Sequence, residues 1–281
     1  MDRIRKALDL AREDRRRIAD TKVENRLEDQ NRLEDRRTEP KPVTRLPTVI
    51  EYTKTRVFMP SESVLEANRI LDAASRHPAA SAFRALRTQV LQRLDEHQWR
   101  SVAIFSPSSN DGKTTTAINL AISLASDHSH SVLLIDFDLK RPTLAARFGF
   151  TPDQGSDDLL RGEANIESCM YHPKGFERLV ILPARAAMTR SSEALAGPAC
   201  RRIVAELRGR YPDRVLLFDL PPVLGADDAL AFAPLIECGL IVVAEGTTRR
   251  EDLLRSMELL RRTPIIGTVL IRATEVASGY G

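Results

Sequence analysis

The sequence predicts an α/β fold: a doubly wound, mainly parallel sheet with a helical N-terminal extension. Three observations predict it. Short, continuously apolar runs recur at 101–105, 131–137, 178–182, 215–220, 239–244 and 265–271. Amphipathic stretches at 114–126, 200–210 and 250–262 alternate with them. No run alternates apolar and polar residues, so the strands are buried on both faces, as in a parallel sheet covered by helices. Ligands of such sheets bind at the carboxyl ends of the strands, and chemistry is to be sought there.

In chain order, residues 1–47 form a charged arm and linker. Asn25-Arg26-Leu27-Glu28-Asp29 returns as Asn31-Arg32-Leu33-Glu34-Asp35. The repeat of six is no heptad, which argues against a coiled coil and for a marginal helix or a disordered arm. Pro40, Pro42 and Pro47 mark the linker. Residues 48–98 read as a bracing or oligomerisation segment. A β-prone stretch at 48–59 precedes one helix from 60 to 75 and a second from 79 to 97. The second carries Phe83, Leu86, Val90, Leu91 and Leu94 on one stripe, which must bury against the domain C-terminal to it. The nucleotide-type domain spans 99–274, and 275–281 is a short tail.

Composition narrows the function. Among 281 residues, 42 basic and 39 acidic side chains leave a net charge of +3, too balanced for a protein that coats nucleic acid. The three cysteines, Cys169, Cys200 and Cys238, lie far apart without a Cys-x-x-Cys pair. That pattern suggests a reducing, cytoplasmic setting and neither a disulfide framework nor a zinc or iron–sulfur site. No apolar run reaches 18 residues, and the charged opening excludes a secretory signal.

The first domain strand runs into Ser106-Pro107-Ser108-Ser109-Asn110-Asp111-Gly112-Lys113-Thr114-Thr115. A strand, a tight loop and a helix opening at Gly-Lys-Thr make a P-loop. Backbone N–H groups of Ser108 to Thr115 would cradle the phosphates of ATP, Lys113 would reach the β- and γ-phosphates, and Thr114 would ligate Mg²⁺. Pro107 stands where the first glycine is usual, and Asn110 where a second is common; Asn tolerates positive φ. The alternative is an ordinary turn capped by Asp111.

The second strand ends Ile135-Asp136-Phe137-Asp138. Two carboxylates two residues apart on a strand point to one side and repel unless a cation or proton donor lies between them. The alternative is that one of them caps a helix at 142–148. The fourth strand ends Phe218-Asp219-Leu220-Pro221-Pro222, which offers a further Mg²⁺-side carboxylate. Together the three elements indicate a P-loop NTPase fold.

These elements and their flanks resemble the bacterial (BY-type) tyrosine kinases, and more closely the tyrosine autokinases of exopolysaccharide export systems, within the MinD/ParA-like superfamily. The likeness rests on the stretch from Ala82 to Thr88, the P-loop through Ala121, Leu133 to Pro142, Ser192-Glu193-Ala194-Leu195, Asp219 to Leu224 and Asp227 to Phe232. It implies ATP-dependent phosphorylation of tail tyrosines, here Tyr280. It implies a membrane-embedded polysaccharide co-polymerase as partner, and so a place at the inner membrane reached through that partner. It also implies self-association through the helix carrying Arg84 and Arg87. Asp136 or Asp138 would take the tyrosine proton or bind Mg²⁺, with Asp136 favoured as base, and Asp219 would hold the Mg²⁺ shell. Ser81 replaces a glutamate, and Ile271 an asparagine, that the family often carries. The competing readings are a catalytically weak regulatory subunit and a ParA/MinD-like positioning ATPase. Ser108, where the latter has its signature lysine, disfavours it. A small-molecule kinase has no recognisable substrate motif here, and the signatures of eukaryotic-type kinases are absent.

Overall fold

The computed structural model describes residues 55–273 except 73, 74, 76, 128, 211 and 212. The charged arm, the tail with Tyr280, and Tyr52 and Tyr211 lie outside the described residues. Eight strands build one sheet: β1 (Arg56–Phe58), β2 (Ser101–Phe105), β3 (Ser131–Asp136), β4 (Tyr171–Pro173), β5 (Leu179–Leu182), β6 (Arg214–Asp219), β7 (Cys238–Ala244) and β8 (Ile265–Ile271). Their order is β1-β4-β5-β3-β6-β2-β7-β8, parallel except for β4 against β5. This is the predicted doubly wound sheet. β4 was not anticipated, because three residues ending in a proline give no strand signal. Tyr171 at its head is buried, and its hydroxyl receives the Asp153 and Gln154 N–H groups.

Strand side chains alternate between two cores. Ala103, Phe105, Leu133, Ile135, Leu216 and Phe218 face one side. There they meet α6 (Ser191–Ala196), α7 (Pro198–Arg210) and α8 (Asp228–Phe232) through Leu195, Val204, Leu207 and Phe232. Val102, Ile104, Val132, Leu134, Val215 and Leu217 face the other. They are covered by α2 (Pro78–His97), α3 (Lys113–Ala125) and α4 (Leu144–Phe148). Two further helices, α5 (Ser156–Arg161) and α9 (Arg250–Leu259), complete the packing.

The bracing segment reaches the domain through α3. The α2 stripe docks there, with Val90 and Leu94 buried and Phe83, Leu86 and Leu91 packed beside them. Buried polar groups are paired across the seam: Ser123 Oγ donates to Phe83 O at 3.1 Å, and Arg87 Nη1 to Ser123 O at 3.2 Å. Arg84 Nη1 donates to Ser75 O at 3.5 Å, so both arginines contact their own chain. The helix expected over 60–75 is shorter. It is α1 (Glu62–Ala67), capped by Ser61. Asn68 Nδ2 turns back to Val64 O, and Arg69 takes φ +55, which ends the helix. Asn119 of α3 then holds the departing chain, its Oδ1 receiving Leu71 N and its Nδ2 donating to Arg69 O. Among the described residues no helix is long and apolar enough to cross a membrane.

Candidate functional site: a phosphate-type cleft at the strand ends

β2 delivers the loop 106–112 to the carboxyl edge of the sheet, between β6 and β7. The chain after β6 pins the loop's start, Val223 N donating to Ser106 O and Leu224 N to Pro107 O. Asn110 takes φ +66, the left-handed conformation its side chain tolerates. Gly112 takes φ +79, and an added Cβ there would stand 2.1 Å from Ile271 Cδ1. The end of β8 thus closes on the loop, and Arg272 Nη2 donates to Asn110 O at 2.8 Å.

Asp111 neither caps α3 nor faces a ligand space. It is fully buried, its Oδ2 receiving Ser108 N at 2.8 Å and its Oδ1 the Thr248 hydroxyl at 2.9 Å. Asp111 therefore shapes the loop, and Thr248, 137 residues away, is a supporting residue that sequence reasoning missed. Gly112 supplies no side chain to cap α3. The first N–H groups of that helix, at a positive dipole end, are left for an anion.

The carboxylates come from β3 and β6, adjacent and parallel, with Asp136 and Asp219 directly in register. Lys113, only 7% exposed, places Nζ 2.6 Å from Asp219 Oδ1 and 3.6 Å from Asp138 Oδ2. Burial opposes its charge, but the Asp219 and Asp138 carboxylates outweigh that and raise its pKa. Asp219 Oδ2 is buried with no hydrogen-bond partner. Such an orphaned anion is costly in a finished core, and it fits a cation or a bound water.

Asp136 and Asp138 divide. Asp138 lines the cleft, and burial pushes its pKa up against the pull of Lys113. Asp136 lies behind it, fully buried, with Oδ2 receiving the Thr143 and Leu144 N–H groups and Oδ1 that of Asp138. Asp136 thus caps the start of α4. Burial and then the Asp219 charge push its pKa up to about 8, against the Leu144 N–H.

The resulting cleft, about 280 Å³, is lined by Ser108, Ser109, Asn110, Gly112, Lys113, Thr114, Thr115 and Asp138 from the predicted set. Asp111, Asp136 and Asp219 stand behind the wall. Lys140, Arg141, Thr143 and Arg147 also line it, together with Pro221 and Pro222. Lys140 and Arg141 belong to the sequence stretch around Asp138, so a signal for them existed. Among the described residues no three His, Cys, Asp or Glu side chains form a closed metal cage. Magnesium shared with phosphates requires only one or two carboxylates, and Asp219 with the Thr114 hydroxyl would fit that requirement.

The family model for the CobQ/CobB/MinD/ParA nucleotide binding domain matches residues 102–278. The chain belongs to that family. It is also 26% identical over 190 residues to the tyrosine-protein kinase YwqD of Bacillus subtilis (strain 168), over 67% of this chain and 78% of that protein. It is 33% identical over 214 residues to the succinoglycan biosynthesis transport protein ExoP of Rhizobium meliloti (strain 1021). That match covers 72% of this chain but spans only 26% of the ExoP length. Among solved structures, the VpsO kinase domain aligns with a TM-score of 0.61 at 29% identity, over 69% of this chain and 95% of that one. The likeness to bacterial tyrosine kinases inferred from the motifs is borne out by these relatives.

Proposed function

We propose that this chain is an ATP-dependent protein-tyrosine autokinase of an exopolysaccharide export system. The observation that carries the reading is the meeting of Lys113, Asp138 and Asp219 at the uncapped start of α3. Phosphates of ATP would lie on the N–H groups of Gly112 to Thr115, with Lys113 against the transferred group. Magnesium, when bound, supplies positive charge that screens the phosphate oxygens. Thr114 and Asp219, with its orphaned Oδ2, are the residues to hold it. The acceptor tyrosine gives its proton to Asp138 as its oxygen forms a bond to the γ-phosphorus, and the bond to ADP breaks. Asp138 is preferred over Asp136 as base because it faces the cleft, whereas Asp136 is engaged by three N–H groups. A carboxylate whose pKa is raised by burial is a better proton acceptor at neutral pH.

Tyr280 is the proposed acceptor, on a neighbouring copy associated through the Arg84/Arg87 helix. The proposed partner is a membrane-embedded polysaccharide co-polymerase, which would hold the domain at the inner membrane. The regulatory-subunit reading draws on Asn110, Ser81, Ile271 and the single tail tyrosine Tyr280, and the Ile271 side chain closes over Gly112 at the end of β8.

Purified protein with Mg²⁺ and γ-labelled ATP, with and without the cytoplasmic segment of the co-polymerase, tests the reading. Label on tyrosine that is lost in Lys113→Ala, and largely lost in Tyr280→Phe, supports the autokinase. Tight nucleotide binding without label leaves the regulatory subunit.

A further inference from the structure

One wall of the cleft is not explained by phosphate binding. On the loop side the cation is Lys113, already matched by Asp219 and Asp138. Lys140, Arg141 and Arg147 line the same cleft. Lys140 Nζ lies 3.1 Å from Oδ1 of Asp228, a carboxylate that is fully buried. The Arg141 side chain is exposed and has no partner among the described residues. Arg147 is half-buried, and among the described residues its side chain hydrogen-bonds to the neutral Asn68 Oδ1 at 3.4 Å. Among the described residues Asp138 is the only acid lining the cleft. Lys113 and Lys140 are ion-paired with Asp219 and Asp228, whereas Arg141 and Arg147 form no ion pair among the described residues.

The wall is fixed to the reacting centre. Arg141 N donates to Asp138 O at 3.1 Å and to Asp138 Oδ1 at 3.3 Å. Arg147 sits in the last turn of α4, whose start Asp136 caps. The backbone carrying Arg141 is therefore anchored directly to Asp138. A guanidinium is a planar fork suited to carboxylates, and in a cleft with focused positive field it selects an anionic peptide over a neutral one.

We propose that Arg141 and Arg147 form an acceptor subsite that takes carboxylate side chains of the peptide segment carrying the target tyrosine. The subsite rests on the kinase reading and assigns its substrate class: tyrosines in acidic, lysine-poor sequence. The chain's own residues 274–281 have that sign, with Glu275 and Tyr280 and no lysine or arginine.

The test separates binding from transfer. Fluorescent octapeptides with one tyrosine among glutamates, among glutamines or among lysines are titrated into the full chain with Mg²⁺ and a non-hydrolysable ATP analogue. The glutamate peptide is expected to bind roughly five- to tenfold tighter than the glutamine peptide at low salt, with the gap closing as salt rises. With the nucleotide analogue held at saturation, Arg141→Glu/Arg147→Glu is expected to invert the order in favour of lysine. Equal binding of the glutamate and glutamine peptides overturns the subsite. So does a double variant that loses nucleotide affinity with its peptide preference unchanged. Replacing the analogue with ATP then tests the kinase reading separately: bound glutamate peptide that is never phosphorylated sinks the kinase and leaves the subsite standing.

Discussion

Two clusters of buried carboxylates sit at the same sheet, and they are built on opposite terms. In the first, Asp157 and Asp158 at the start of α5 are fully answered. Asp157 receives Arg185 N and Arg161 Nη2. Asp158 receives both arginines and Gly155 N. The Arg185 hydrogen bonds above all hold the Asp158 carboxyl well below the usual range. In the second, at the ends of β3 and β6, three acids share one lysine. Asp219 Oδ2 has no partner, and the Asp136 and Asp138 pKa values move up. The first cluster stabilises the fold. The second leaves a buried anion unanswered, as a cation site would, and this distinguishes a candidate site from a structural network.

The largest expected effect falls on the second cluster. Lys113→Ala removes the one cation among three acids and should lower tyrosine labelling by at least on the order of 10²-fold, read by γ-label on tyrosine. Unchanged labelling would break the contrast outright. Next, Asp138→Asn and Asp136→Asn divide the pair. Asp138→Asn should lower kcat by about 10²-fold with the melting temperature held. Asp136→Asn, which resembles the protonated carboxyl, should mainly cost about 1 kcal/mol as a weakened cap of α4. If the kinetic loss instead follows Asp136, the proton acceptor is Asp136.

The first cluster should answer to stability and pH. Asp158→Asn should destabilise by about 2 kcal/mol in urea unfolding, because charge-assisted bonds to Arg161 and Arg185 are lost. The folded pKa of Asp158 lies below its unfolded value of about 4, so its contribution is complete above about pH 5 and declines as pH falls. Wild-type melting temperature should therefore drop more steeply from pH 5 to pH 3 than that of Asp158→Asn. Parallel slopes would show that other carboxylates carry the acid sensitivity.

Much of this was legible because it is local. The parallel strands announce themselves as continuous apolar runs, and Gly112-Lys113-Thr114 and Phe218-Asp219 stand next to the strands that deliver them. Asn110 was expected to accept positive φ, and it does. What escaped is long-range or short. β4 has three residues and borrows its order from β1 and β5. The helix over 60–75 stops at Ala67, where Arg69 takes a left-handed turn that no composition rule demands. The support of Asp111 by Thr248 spans 137 residues, and two separate stretches must fold before Lys140 meets Asp228.

That last pair gives the smallest and most discriminating expectation. Asp228 is fully buried, and neither carboxylate oxygen has a hydrogen bond; its answer is the Lys140 ion pair at 3.1 Å. Removing one member of a buried pair is usually costly because the other charge is stranded. Here the lysine is 43% exposed and can turn into water, so nothing is stranded. Asp228→Asn also spares the protein the desolvation of a buried anion. Stability should then stay within about 1 kcal/mol of wild type, or rise. The freed Lys140 would add to the positive wall and tighten glutamate peptides modestly. A loss of several kcal/mol would instead place Asp228 with Asp158, as an anion the fold requires.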